Sequence, residues 1–362
     1  MGALPLVQPA VHATEKATEG HEGARSTASV PKKGERFAFA LLGDMPYTRK
    51  QEGEYAAVLE DLNEEDLVFA VHVGDTMFDP RPYERNPSIA RQPGAKDNYE
   101  YVLGTFNSCN HPLISVPGDN DWSDYVEFKE IKADPFECLA TVRAMFFPEG
   151  RSLGKRQMPV QSQRNDPAHA EYVENQMWDL GGVTFATMHV LGSNDNFERT
   201  PELEAERKRR MAANLAWMDK AFEHARDHDS QGLVLIIHAN PGFENHWPPS
   251  YLGRYFRLFG GVKTPNPPAP TPYDEWVTRL RTHMESWDRP TALLHGDTHL
   301  FRIDKPLFGL KSNRPFENLT RVETFGWPDT HWVKITVDPD RPELFIIEPQ
   351  IVSANLLKHG AS

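Results

Sequence analysis

Five short apolar runs in this chain each stop on a carboxylate or a histidine, and that repetition constrains the fold more than any bulk property. The runs are Ala40-Leu41-Leu42-Gly43-Asp44, Ala70-Val71-His72-Val73-Gly74-Asp75, and Leu113-Ile114-Ser115-Val116-Pro117-Gly118-Asp119-Asn120-Asp121. Leu233-Val234-Leu235-Ile236-Ile237-His238 and Ala292-Leu293-Leu294-His295-Gly296-Asp297-Thr298-His299 complete the set. Non-alternating Val, Ile, Leu and Ala read as strands buried on both faces, the parallel-sheet kind. Open α/β sheets bind ligands outside the carboxyl ends of such strands. Five strand ends that deliver Asp and His to one edge therefore predict a polynuclear metal site.

The segments between these runs carry helical and turn signals. Glu52 to Leu62, Tyr99 to Cys109, Pro201 to His228 and Pro272 to Trp287 have helical spacing of apolar residues, and Asp121 to Phe147 reads as mostly helical. Alternating runs on either side of Gly181-Gly182 predict a hairpin. Strands are expected at Val322–Phe325, Trp332–Val337 and Leu344–Ile347. Strands alternating with helices throughout favour one elaborated α/β domain over 35–362, with inserts near 78–97, 122–170 and 251–272. The first and last inserts are long for simple connections, which points to a cleft wall or a mobile loop.

Charged residues make up 25% of the 362 and hydrophobic ones 39%, as in soluble globular chains. A formal net charge of −13 and a pI near 5.6 argue against a general nucleic-acid binder, which needs a basic footprint. The same charge allows a small phosphorylated substrate, because bound cations reverse the local field. No apolar run reaches the roughly 20 residues of a membrane span. Residues 1–34 read as a disordered leader or the remnant of a signal peptide, with Val11 and Ala13 spaced as at a cleavage site, so export is expected. Cys109 and Cys138 are too few for a thiolate cage; one disulfide or two buried thiols are both compatible with the sequence.

Asp and His ligands without thiolates suit Mn²⁺, Zn²⁺, Fe²⁺ or Mg²⁺ better than Ca²⁺. Two such ions lie about 3.5–4 Å apart when a carboxylate bridges them. In order and spacing, the runs from residue 37 to about 303 resemble the calcineurin-like metallophosphoesterases, a superfamily that includes the purple acid phosphatases. The resemblance implies a four-layer α/β/β/α sandwich with its metal site at strand C-terminal ends. It implies that Asp44 binds a first divalent ion, that Asp75 bridges, and that Asp119, His238 and Asp297 hold a second, with His299 on the first. It also implies hydrolysis of phosphate mono- or diesters by a metal-bridging hydroxide.

The departures from that family are specific. Asp44-Met45-Pro46 lacks a histidine at its third position, so Tyr47 or a water would complete the first ion's ligands. Phe78 replaces the iron-binding tyrosine of the purple enzymes, and Asn120 replaces the histidine that resembles a leaving-group acid. Asn120, Asp121 and His189 are the expected catalytic residues. Asp79 and Asp121 are expected to orient neighbours, and His72 and His295 to pack behind the ligands. Arg81, Arg85 and Arg91 read as a solvated loop face or a contact for an anionic substrate. A catalytically silent descendant that keeps the fold is the alternative, since fold does not certify activity.

Overall fold

A computed structural model describes residues 30–76, 94–127, 131–248 and 270–356. The first insert up to residue 93, residues 251–269 of the last, and residues 1–29 of the leader lie outside the described residues, as do Phe78, Asp79, Arg81, Arg85 and Arg91.

All five predicted runs form strands: β1 (Phe37–Leu42), β2 (Ala70–His72), β3 (Leu113–Ser115), β7 (Gly232–Ile236) and β8 (Thr291–His295), every residue of them buried. They divide between two sheets. The first sheet also contains β11 (Trp332–Val337) and β12 (Phe345–Gln350), in the order β12-β11-β1-β2-β3. The second contains β4 (Gln161–Ser162), β5 (Gln176–Leu180), β6 (Val183–Thr187), β9 (Arg302–Asp304) and β10 (Leu319–Glu323), in the order β4-β5-β6-β7-β8-β10-β9. Each sheet contains one run of parallel strands: β1, β2 and β3 in one, β6, β7, β8 and β10 in the other. Antiparallel strands occupy the flanks.

The two sheets share one core. Phe39, Leu41, Val71 and Ile114 from the first meet Phe185, Val234, Ile236, Leu294 and Val322 from the second. Phe39 stacks on Phe69 with ring centroids 4.7 Å apart and stands edge-on to Phe185 at 5.5 Å. A second cluster joins the first sheet to helices α1 (Arg49–Glu64), α2 (Lys96–Phe106) and α3 (Pro135–Phe146). A third joins the second sheet to α4 (Pro201–Asp227) and α5 (Asp274–Met284).

The helix ends follow local chemistry. Thr48 caps α1 through Gln51 N–H, and Tyr55, Val58, Leu59 and Leu62 bury one face at helical spacing. Thr200 caps α4, with Pro201 in the first turn. The helix expected over 121–147 is instead a short 3₁₀ turn at Asp124–Glu127 and then α3, which starts at Pro135. The reason is local: Asp134 accepts from Phe136 and Glu137 N–H, and proline is tolerated only in a first turn. Cys109 and Cys138 are both buried free thiols. No helix among the described residues is long and apolar enough to cross a membrane.

Candidate metal centre

The strand ends of both sheets converge on one cluster. Among the described residues, Asp44, Asp75 and His238 bring ligand atoms within 4.8 Å of one another, and so do Asp119, His238 and Asp297. Each group joins the first sheet to the second. His238, at the end of β7, belongs to both; its Nε2 lies 2.9 Å from Asp119 Oδ1 and 3.6 Å from Asp75 Oδ1. His299 stands at the side of the first group, its Nε2 3.6 Å from Asp44 Oδ1.

The loops that end the strands are built for this approach. Asp44, Asp75, Asp297 and His299 all have left-handed backbones, with φ between 55° and 80°. Such conformations in non-glycine residues store strain and collect at functional sites. Two glycines let the carboxylates lie against main chain. A Cβ on Gly118 would meet Asp75 Oδ1 at 2.1 Å, and one on Gly192 would meet both Asp119 Oδ1 and Asp297 Oδ1 at 2.5 Å.

Hydrogen bonds then fix each side chain. The Asp297 N–H donates to the Asp44 carboxylate at 3.0 Å, and the Asn240 N–H to Asp297 Oδ2 at 2.8 Å. Asp75 accepts from the Asn120 N–H at 3.0 Å and from the Tyr47 hydroxyl at 2.7 Å. The Tyr47 oxygen also lies 3.1 Å from His299 Nε2, so this tyrosine stands among the first group where the sequence lacks a histidine. His238 Nδ1 lies 2.7 Å from the Val73 carbonyl and His299 Nδ1 2.7 Å from the Trp327 carbonyl. A carbonyl only accepts, so both rings carry a proton on Nδ1 and turn Nε2 to the site, the arrangement that orients histidine ligands.

The electrostatics of this cluster are compatible with bound cations. Burial pushes the Asp44 and Asp75 carboxyls well above the usual carboxylate range, and Asp297 up to about 6. Burial also penalises the charge on Asp119, but the His238 hydrogen bond and charge bring that group down to about 2. For His238 burial opposes the charge, and Asp75, Asp119 and Asp44 together lift it well above the ordinary imidazole value. Four carboxylates, three of them buried and Asp297 partly exposed, thus crowd His238 and His299, and buried charge is stable only when paired. Oxygen and imidazole donors without thiolate fit hard or borderline divalent ions.

The three expected catalytic residues take different places. Asn120 sits in the cluster, its N–H on Asp75. Asp121 lies directly behind: its oxygens accept from the N–H groups of Gly118 at 2.7 Å, Thr76 at 2.8 Å and Asp75 at 3.1 Å, and from the Thr76 hydroxyl at 3.0 Å. It braces the loops that carry Asp75 and Asp119. The structure does not bring His189 into either ligand group. That ring is fully buried, with Nδ1 2.7 Å from Glu174 and Nε2 accepting the Trp122 indole N–H at 3.2 Å. With both nitrogens committed, it has no proton to exchange with a substrate. His72 packs behind the site as expected, bonding the Met45 carbonyl at 3.1 Å and accepting from Gly74 N–H at 3.3 Å.

One contributor escaped the sequence reading. Ser193 donates to Asp119 Oδ2 at 2.6 Å and lies 3.1 Å from Asp124 Oδ2. It belongs to four consecutive left-handed residues, Ser193, Asn194, Asp195 and Asn196, with φ from 44° to 63°. Left-handed backbone costs about 1–2 kcal/mol per residue, less for Asn and Asp. A buried ion pair holds the turn: Asp195 Oδ1 accepts from Arg210 at 2.6 Å and from Leu191 N–H at 3.1 Å. The signal was present as Gly192-Ser193-Asn194-Asp195-Asn196, a run of residues that tolerate this conformation.

No protein-family model matches the chain, and no curated protein does. A solved structure of PhoD matches at 14% identity and a TM-score of 0.50, over 86% of this chain and 66% of that one. This chain therefore spans just under two-thirds of the length of PhoD in that structure, and the two share a fold. A second solved structure, 9% identical with a TM-score of 0.40 over 88% of this chain and all of that one, is too distant to carry weight.

Proposed function

We propose that this protein is a metal-dependent hydrolase of phosphate esters, a divergent calcineurin-like metallophosphoesterase with a binuclear centre. The observation that carries this reading is the convergence of buried Asp44, Asp75 and Asp119 and partly exposed Asp297 on His238 at the joined ends of two sheets. The PhoD-like fold supports it, and so does the shared core with helices on both outer sides, which favours a four-layer sandwich. Asp44, Asp75, Tyr47 and His299 would hold one divalent ion, and Asp119, His238 and Asp297 the other, with Asp75 between them. Such ions supply Lewis acidity for attack of water on phosphorus and offset charge on the phosphoryl oxygens.

The protein's own residues do the rest. Tyr47 and the Asn120 N–H fix both oxygens of Asp75. The Val73 and Trp327 carbonyls fix the two histidine tautomers. Water adds to phosphorus, the ester P–O bond breaks, and the alcohol leaves with a proton taken from solvent, because the Asn120 amide has none to transfer. The signal-like leader supports export as the setting.

The test is metal analysis of protein purified without chelator, combined with turnover of bis-p-nitrophenyl phosphate and p-nitrophenyl phosphate. Bound metal with turnover of either ester is expected. Full metal loading with neither turned over would favour the catalytically silent alternative. A finer expectation concerns Ser193. Partners behind a metal ligand are typically worth about 10- to 100-fold in affinity, so Ser193→Ala should weaken Mn²⁺ binding about tenfold in one of two titration phases. Two unchanged phases would remove Ser193 from the site.

A further inference from the structure

Two residues beside the cluster in the main chain carry exposed apolar side chains for which the proposed hydrolysis has no use. Trp327 is 47% exposed, and Leu300, which follows His299, is 65% exposed. Main chain ties Trp327 to the site, and Leu300 adjoins it as the residue after His299. The Trp327 N–H donates to the Asp44 carbonyl at 3.1 Å, and its carbonyl accepts from His299 at 2.7 Å. Gly326 permits this closeness: a Cβ there would lie 2.6 Å from Asp44 Cβ and 2.9 Å from the His299 ring. Next to them, Phe301 and Phe325 stack with centroids 4.7 Å apart, which stiffens both segments. Left in water, side chains such as Trp327 and Leu300 contribute little to folding and gain apolar burial when a ligand covers them.

A second observation points to what binds. Asn120 stands where a leaving-group acid is expected and has no proton to transfer, while both His189 nitrogens are committed. Esters whose organic group departs as a stabilised anion of the phenolate kind need no such acid.

We propose that Trp327 and Leu300 form a lip that receives the organic group of the ester, and that this group is an aromatic ring. This rests on the phosphoester reading and assigns its substrate class: aryl phosphate esters over alkyl ones. The phosphoryl group occupies the cluster and the ring lies along the lip, where aromatic pairing adds to apolar burial.

Binding of inert analogues tests the lip separately from leaving-group chemistry. Calorimetric titration of the Mn²⁺-loaded full chain with phenylphosphonate and methylphosphonate should show the phenyl compound bound about tenfold more tightly. Trp327→Ala should cut that ratio about three- to tenfold, with Trp327→Phe keeping most of it. Leu300→Ser, at an exposed position that the fold does not need, should lower the ratio in the same direction. Equal binding of the two phosphonates by the wild type, or a ratio unmoved by both Trp327→Ala and Leu300→Ser, would overturn the lip and leave the phosphoester reading intact. A metal-loaded wild type that binds neither phosphonate and cleaves no phosphate ester would overturn both.

Discussion

Asp75→Asn should abolish metal-dependent activity while making the metal-free protein more stable. The carboxylate lies 3.6 Å from His238 Nε2 and shares its buried space with Asp44 and Asp119, whose charges raise its pKa beyond what burial alone does. Without cations, removing one negative charge relieves that repulsion, and the amide oxygen still accepts from the Asn120 N–H. The Tyr47 hydroxyl loses its acceptor but can turn to His299 Nε2, 3.1 Å away. A gain of about 1 kcal/mol is in the range of substitutions that relieve a strained functional site. With cations, the proposed bridge at Asp75 loses its charge. Ligand present at a thousand times Kd stabilises a fold by about 4 kcal/mol, and that gain should vanish from Mn²⁺ melting curves of the variant. Turnover should fall at least on the order of 10³-fold, as when preorganised charge stabilisation is removed. Asp44→Ala should strip mainly the first ion. An Asp75→Asn protein that still binds two Mn²⁺ per chain with wild-type rates would disprove the bridge.

Most of this candidate cluster was legible because its carboxylates and histidines sit at strand ends. A strand buried on both faces, such as Leu233 to Ile236, must be apolar throughout, so the polar residue that stops it stands out. The division of the five strands between two sheets was not legible. Leu41 and Leu235 look alike in sequence, and only pairing and the shared core around Phe39 and Phe185 decide which sheet each joins. Edge strand β9 was missed because Arg302, Ile303 and Asp304 are partly exposed and too few to show a period. The break before α3 is written in Asp134-Pro135, a capping carboxylate followed by a first-turn proline, although the apolar period runs on past it. His189 misled for the opposite reason. A histidine at a strand end reads as a catalytic group facing the site, yet Glu174, fifteen residues earlier, and Trp122 on a distant loop fill both its nitrogens. Contacts between remote loops leave no trace in local sequence.

The wild-type rate should fall steeply as the leaving group becomes more basic. Asn120 stands where a proton donor is expected, and its backbone is anchored by the N–H bond to Asp75 Oδ1 at 3.0 Å. General acid catalysis is typically worth on the order of 10²–10⁴-fold, so a site without it should cleave nitrophenyl esters well and alkyl esters poorly. Asn120→His tests this directly, and the surroundings limit what it can restore. An imidazole acts best as an acid when a carboxylate orients it, and Asp121, the nearest in sequence, already accepts from Gly118, Thr76 and Asp75. The new ring would therefore be poorly held. The expected gain for alkyl esters is about tenfold, near or below the low end of acid catalysis, with little change for nitrophenyl esters. The measurement is kcat/KM against leaving-group pKa for a matched ester series in both proteins. A shallow wild-type slope would show that another group already protonates the leaving alcohol, and Asn120 would lose its place in the mechanism.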